Sequence, residues 1–101
     1  MDISIIKSNG IGTIRLKGRF DFNAHRSFRE SYDPLLQDAA VNVITVDLAG
    51  VEYMDSSALG MLLMLRDRSN TVNKCTKLAG PNHTVMQILD IANFAKLFDI
   101  V

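Results

Sequence analysis

The order of strand-like and helix-like segments is the feature of this sequence that most constrains its fold. Two short β-type segments come first, at residues 3–6 and 11–17, and the Asn9-Gly10 pair between them is a strong hairpin turn signal. From residue 24 onward, helical and strand-like segments alternate to the end of the chain. Strands that alternate with helices are joined by right-handed crossovers. The sequence therefore predicts an α/β fold with a mixed, mostly parallel sheet and an N-terminal antiparallel hairpin, in the order β-β-α-β-α-β-α-β.

The first helix is predicted to begin near residue 24. Its apolar positions recur at steps of three and four residues, and they are Ala24, Phe28, Tyr32, Leu35 and Ala39. Residues 18–23 before it are expected to form a loop in which Asp21 or Asn23 caps the helix. Pro34 lies inside the periodic stretch, so we expect a kink there or a helix in two pieces.

The second half of the chain continues the alternation. Residues 42–48 are rich in β-branched side chains, which predicts a central strand covered on both faces. Asp-Ser-Ser at residues 55–57 is an N-cap cluster, and a second helix is predicted from residue 58 to about residue 68. The remaining predicted segments are a strand at residues 75–79, a helix at 84–92 and a strand or strand-like tail at 97–101.

Length and charge exclude several classes of protein. The 101 residues suit a single domain spanning 1–101, and eleven basic side chains balance eleven acidic ones. That balance argues against a protein held to nucleic acid or anionic lipid by bulk electrostatics. The longest apolar run, residues 58–65, is too short to cross a bilayer, and the first residues lack the pattern of a secretory signal. We therefore expect a soluble, cytoplasmic protein without direct membrane insertion.

Catalytic and metal-binding patterns are missing from the sequence. There is no Gly-rich phosphate loop, and no nucleophile–base pair can be assembled. His25 and His83 stand in polar surroundings and are expected to be surface side chains rather than metal ligands. Cys75, the only cysteine, is expected to be a small buried side chain of a strand. We therefore expect a protein that is not an enzyme and needs no cofactor of its own.

The sharpest local signal is the stretch from residue 54 to residue 63. A helix cap needs one short polar residue, yet Asp-Ser-Ser supplies three. Gly60 lies inside the predicted helix, where glycine costs about 1 kcal/mol relative to alanine, so a neighbouring element or a partner is expected to approach it closely. Met61 and Met64 follow Ser57 by four and seven residues and share its helix face. They either fill the core or form an adaptable apolar docking stripe.

These motifs resemble those of the STAS domain family (sulfate transporter and anti-sigma antagonist). The stretch Asp-Ser-Ser-Ala-Leu-Gly at residues 55–60 is similar to the Asp-Ser-Ser-Gly-Leu-Gly signature of the bacterial anti-sigma factor antagonists in this family. Leu-Lys-Gly-Arg-Phe-Asp at residues 16–21 is similar to the family's Leu-x-Gly-x-Leu-Asp, and the likeness extends over essentially the whole chain. Two departures are Ala58, which replaces the usual glycine, and a C-terminal helix that is absent or very short.

The resemblance implies a phosphorylation switch and a STAS-like fold. In the family, the second serine of the signature accepts the phosphoryl group, and it matches Ser57. The acidic residue after the second strand matches Asp21, which is either functional or only a helix cap. The implied partner-binding residues are Asp21, Asp55, Ser56, Ser57, Gly60, Met61 and Met64.

The resemblance also implies two partner proteins. When unphosphorylated, the domain is expected to bind an anti-sigma factor that is also its Ser/Thr kinase, of the histidine-kinase-like ATPase type. Phosphorylation of Ser57 is expected to break that complex, and a serine phosphatase is expected to restore it. ATP and any metal ion then belong to those two enzymes, and no nucleic acid is involved.

Two other readings use the same sequence differently. The domain could be a STAS adaptor subunit of a membrane transport complex, using the same surface without a phosphorylation switch. It could also be a receiver-like domain phosphorylated on Asp55, but residues 3–7 lack the acidic pair that would hold Mg²⁺. Phosphate on Ser57 in cells would favour the switch over the adaptor.

Overall fold

Five strands, hydrogen-bonded to one another in chain order, form one mixed sheet. The structure is a computed structural model that describes residues 1–101. The strands are β1 (Asp2–Ser8), β2 (Ile11–Phe20), β3 (Val43–Met54), β4 (Cys75–Ala79) and β5 (Asp99–Ile100). The helices are α1 (His25–Gln37), α2 (Ser56–Thr71) and α3 (His83–Ile91), with 3-10 turns at Phe22–Ala24 and Phe94–Lys96. The predicted α/β class and element order are confirmed.

An antiparallel hairpin opens the sheet, as the sequence predicts. Its register runs from Asp2 opposite Lys17 to Ser8 opposite Ile11. The two turn residues, Asn9 (φ 53°) and Gly10 (φ 80°), both have left-handed backbones. That is the pattern of a type I′ turn, whose twist matches the twist of the flanking strands.

All three helices lie on one face of the sheet. β2, β3, β4 and β5 are parallel and adjacent in chain order, so successive right-handed crossovers advance in the same direction and place their helices on the same side. Side chains of β2, β3 and β4 on that side are fully buried, and they are Ile14, Leu16, Ile44, Val46, Leu48 and Leu78. The other face is open, and Thr45 and Asp47 of β3 are only half-buried there. The expectation that this strand is covered on both faces is therefore wrong.

The core between α1 and the sheet is aromatic. The Phe28 ring lies edge-on to Phe20 at 5.0 Å and to Tyr32 at 5.3 Å between centroids. All three side chains are almost completely buried. Phe28, Tyr32 and Leu35 are the buried residues of α1, which runs without interruption through Pro34, so a helix in two pieces is wrong. Burial of this face against the sheet offsets the backbone hydrogen bond that proline removes.

Three local expectations are corrected. β2 continues to Phe20 through part of the expected loop, with register shifts against β3 and a left-handed Gly18 (φ 108°) that glycine adopts readily. α1 ends at Gln37, so Ala39 is exposed instead of packing in the core. Cys75 is exposed, because it is the first residue of β4 and its register partner Val43 lies on the open face.

The loop between α1 and β3 is tied down by two lysines. The buried Lys74 ammonium donates hydrogen bonds to the carbonyl oxygens of Asp38 and Val41. From the other side, Lys7 Nζ lies 3.1 Å from the Asp38 carboxylate. These contacts join β1, the α1–β3 loop and the start of β4. No helix of the structure is both long and apolar enough to cross a membrane.

Candidate functional site

The first turn of α2 is capped by Asp55. This residue has an extended backbone, and its carboxylate accepts a hydrogen bond from the Ala58 N–H at 2.9 Å. Ser56 and Ser57 are the first two residues of the helix, and helix geometry leaves their N–H groups without intrahelical acceptors. The positive end of the helix dipole lies at the same place. This turn can therefore accommodate added negative charge beside the Ser57 hydroxyl.

The structure separates the residues predicted on α2 into exposed and buried ones. Ser56, Gly60 and Met64 are exposed along one side, and Ser57 is half-buried next to them. Met61 is only 6% exposed and belongs to the core, so its assignment to a partner-binding stripe is corrected. Its position four residues after the half-buried Ser57 turns it toward the sheet.

Gly60 has open space around it. A Cβ atom built on Gly60 would meet no heavy atom within 4 Å. No neighbouring element of this chain therefore accounts for a glycine inside α2, and a close approach within the fold is excluded. Of the two expectations for Gly60, approach by a partner stays a prediction.

Asp21 follows the strand next to the one that leads to α2. Its carboxylate accepts a hydrogen bond from the Asn23 N–H at 3.0 Å and lies 3.9 Å from Arg19 Nε. It caps the 3-10 turn at Phe22–Ala24 rather than α1 itself. Phe20, the last residue of β2, is the register partner of Met54, the last residue of β3. Asp21 and Asp55 each directly follow one of these paired residues. The fold thus brings the two predicted acidic residues to the same end of the sheet, where β2 and β3 terminate.

Aromatic residues beside both acidic residues escaped the sequence analysis. Phe22 follows Asp21 and is 70% exposed, with its ring stacked on His25 at 6.2 Å. The 3-10 turn that contains Phe22 contacts α2. Tyr53 precedes Asp55 by two residues, and the Arg19 guanidinium lies 4.9 Å from the centre of its ring. The sequence did contain a signal for Phe22, since a large apolar side chain directly follows the predicted cap Asp21 in a segment expected to be a loop.

The two side chains with clearly shifted pKa values, Tyr32 and Asp38, lie outside this site. Burial raises the pKa of the Tyr32 hydroxyl in the core. The Ala40 N–H and the Lys7 ammonium lower the pKa of Asp38, after α1. No group of three or more His, Cys, Asp or Glu side chains is placed to hold a metal ion. The site is thus an exposed helix start next to two carboxylates and the exposed Phe22 side chain.

Comparisons with known proteins identify the family of this chain. The model of the STAS domain family matches residues 2–101. A STAS-domain containing protein of Pseudomonas aeruginosa is 47% identical over 88 residues, which cover 87% of this chain and 85% of that protein. An anti-sigma F factor antagonist of Paenibacillus polymyxa is 25% identical over 100 residues, which cover 99% of this chain and 86% of that protein.

A solved structure of similar fold is the anti-sigma factor antagonist SpoIIAA. Its unphosphorylated form superposes with a TM-score of 0.83 at 22% identity, covering 99% of this chain and 88% of that chain. The phosphorylated form of SpoIIAA, from Bacillus, gives a TM-score of 0.75 at 21% identity, covering 99% and 91%. At these identities the likeness concerns the fold.

Proposed function

Because this chain belongs to the STAS domain family and is of the anti-sigma factor antagonist type, we propose that it is a partner-switching regulator controlled by phosphorylation of Ser57. In its unphosphorylated form it binds an anti-sigma factor that is also a Ser/Thr kinase of the histidine-kinase-like ATPase type. Phosphorylation releases that partner, and a serine phosphatase reverses the change. The domain acts in the cytoplasm and does not itself catalyse a reaction.

The observation that carries this proposal is the position of Ser57 in the first turn of α2. A phosphoryl group there meets the unpaired N–H groups and the positive dipole end, so the fold tolerates it. The kinase transfers the terminal phosphoryl group of ATP to the Ser57 oxygen, the hydroxyl proton is lost, and ADP leaves. The phosphatase uses water to regenerate the hydroxyl and releases inorganic phosphate.

Release of the partner follows from charge. A phosphoserine carries a charge of about −1.5 to −2 at neutral pH. Asp55 and Asp21 already supply two carboxylates at the end of the sheet where α2 begins, so the modified surface becomes strongly anionic. Like charges opposed across an interface, or a charge buried without a partner, cost several kcal/mol. The expected loss of affinity is about a hundredfold or more.

The supporting findings come from relatives and from residue placement. A relative of 25% identity is named as an anti-sigma F factor antagonist, and SpoIIAA is known in a phosphorylated form. In this chain, Ser56, Gly60 and Met64 form an exposed strip that continues from the phosphorylation site along α2. A partner seated on that strip covers Ser57.

Affinity capture from cell extract tests the proposal. The wild type and Ser57→Ala are expected to retain the same kinase-like partner, whereas Ser57→Asp is expected to lose it. Thr84→Asp is the matched control and is expected to retain the partner, because it adds the same charge at the exposed second residue of α3, outside the strip on α2. Equal capture by all four proteins, together with no phosphate on Ser57 in cells, would instead identify a constitutive adaptor such as a subunit of a transport complex.

A further inference from the structure

The two edges of the sheet are very different. β5 at one edge has only two residues, Asp99–Ile100. β1 at the other edge has seven, pairs with β2 without a register shift, and contains no proline. An edge of this length presents a row of unpaired N–H and C=O groups, which proteins usually blunt with short strands, bulges, prolines or charges. β1 has kept almost none of these protections.

The hairpin turn determines which backbone groups of β1 are free. A type I′ turn pairs the C=O of Ser8 with the N–H of Ile11. Hydrogen-bonded and non-hydrogen-bonded pairs alternate along an antiparallel ladder. The backbone groups of Ser4 and Ile6 therefore point toward β2, like those of Ser8. Those of the odd-numbered residues, which are Ile3, Ile5 and Lys7, point away from the sheet.

The side chains of these three residues leave the edge unprotected, because Ile3 and Ile5 are apolar and Lys7 forms an ion pair within its own chain. Ile3 lies opposite Leu16, and Ile5 lies opposite the fully buried Ile14, yet Ile5 is 39% exposed at the margin of α1. A shallow groove runs over them, lined by Met1, Ile3, Ile5, Ser27, Glu30 and Ser31. Lys7, the charge that would guard the edge, pairs with Asp38 of its own chain. The β1 edge thus has backbone groups without hydrogen-bond partners in the sheet and apolar side chains that are not fully covered.

We propose that two copies of this chain associate through their β1 strands, antiparallel about a two-fold axis at Ile5. In this register Ile5 lies opposite Ile5 of the second copy, and Ile3 lies opposite Lys7. The outward-facing groups then form about six main-chain hydrogen bonds, two for each pair. The two isoleucines at the axis cover each other, and the aliphatic part of each Lys7 covers an Ile3.

A second copy fits this edge because the strand is its own complement. The two Lys7 residues lie four positions apart across the axis, about 14 Å at about 3.4 Å per residue, so no like charges are opposed. A two-fold contact is closed, which leaves only the short β5 edges at the ends of the joined sheet. α2 follows β3, on the far side of β2 from β1, so the start of α2 stays accessible in the pair.

The mass of the full chain in solution, measured by light scattering over a range of concentrations, tests the association. The wild type is expected to change from 11.2 kDa to twice that mass as concentration rises. Ile5→Lys places a charge on the axis and is expected to raise the dimer dissociation constant by at least about tenfold. Ile11→Lys is the control, because Ile11 is 41% exposed on β2 but lies away from the edge.

Amide hydrogen exchange locates the contact without any variant. In the dimer the amides of Ile3, Ile5 and Lys7 are expected to exchange slowly, and on dilution they become fast while Ser4 and Ile6 stay protected. A chain that remains monomeric at millimolar concentration with fast exchange at Ile5 overturns the proposal. A dimer in which the Ile5 amide exchanges freely overturns it as well, because the copies then associate through another surface.

Discussion

The backbone N–H of Asp55 donates a hydrogen bond to the carbonyl oxygen of Phe20 at 3.3 Å. This bond ties the residue that caps α2 to the last residue of β2. Asp21 and Phe22 come directly after Phe20, so they are held beside the start of α2. A partner that contacts Ser57 therefore also meets the turn that follows β2, although more than thirty residues separate them in the chain.

The Asp55 cap is expected to be important for stability. Asp55→Ala removes the acceptor of the Ala58 N–H and should lower the free energy of unfolding by about 1 kcal/mol. Asp55→Asn keeps an oxygen acceptor and should change the free energy of unfolding by only a few tenths of a kcal/mol. Urea unfolding of the three proteins measures the difference. Equal stability of all three would show that the cap contributes nothing.

Ser57 is expected to be the only site of the partner kinase on α2. Ser57→Ala should abolish phosphate incorporation and lower the free energy of unfolding by less than about 1 kcal/mol, because Asp55 supplies the cap. Ser56→Ala, one residue earlier and more exposed, should still be labelled. Mass spectrometry after incubation with kinase and ATP distinguishes the two. Labelling that persists in Ser57→Ala would move the site to Ser56.

Gly60 is expected to matter for binding and not for folding. Gly60→Leu places a side chain in open space, so the free energy of unfolding should stay the same or rise by up to about 1 kcal/mol. The same side chain should block a partner that approaches the exposed strip of α2. Partner affinity and thermal unfolding are measured in parallel.

A glycine in a different setting provides the contrast for Gly60. A Cβ on Gly50 would lie 2.8 Å from the Leu16 carbonyl oxygen, so Gly50→Ala should destabilise the fold. A melting temperature that falls in Gly60→Leu as it does in Gly50→Ala would place Gly60 in an internal contact and remove it from the binding surface.

Phe22 is expected to be an anchor of the partner complex. Large aromatic side chains near the centre of an interface carry a large share of binding energy. Phe22→Ala should weaken partner binding by about tenfold or more with little change in stability, because the ring is 70% exposed. Ile91→Ala is the matched control, since Ile91 on α3 is 85% exposed. Titration calorimetry showing equal affinity for both variants would exclude Phe22 from the interface.

Asp38 is expected to make stability depend on pH in the acid range. Its pKa is lowered by the Ala40 N–H and the Lys7 ammonium, so the folded state binds a proton less readily than the unfolded chain. Asp38 therefore stabilises the fold above the unfolded pKa of about 3.9, and this contribution is lost as pH falls through the folded-state pKa. Asp38→Asn should be less stable than the wild type at neutral pH.

The stability curves of the Asp38 pair provide the check. Denaturant unfolding of wild type and Asp38→Asn should converge as the solution is acidified through the folded-state pKa. A stability difference that is constant down to the lowest pH would show that the charge of Asp38 is not involved.

The sequence alone determined the order of the elements and the local geometry at their ends. Asn9 and Gly10 specify a type I′ turn because both positions need left-handed backbones. Asp55 specifies the start of α2 because a short acidic side chain satisfies a free N–H of the first turn. These effects act within a few residues, so a sequence pattern is enough to predict them.

Which side chains are exposed and which are buried was decided by the tertiary structure. Because every crossover advances in the same direction, the helices cover one face only, which leaves Thr45 half-buried on the open face and Cys75 exposed at the start of β4. The rotation of α2 against the sheet buries Met61 and exposes Met64, although both follow Ser57 at helical spacing. Periodicity says which residues share a face, but what packs on that face depends on residues distant in the chain. The free edge of β1 and the meeting of Asp21 with Asp55 likewise exist only once the strands are placed side by side.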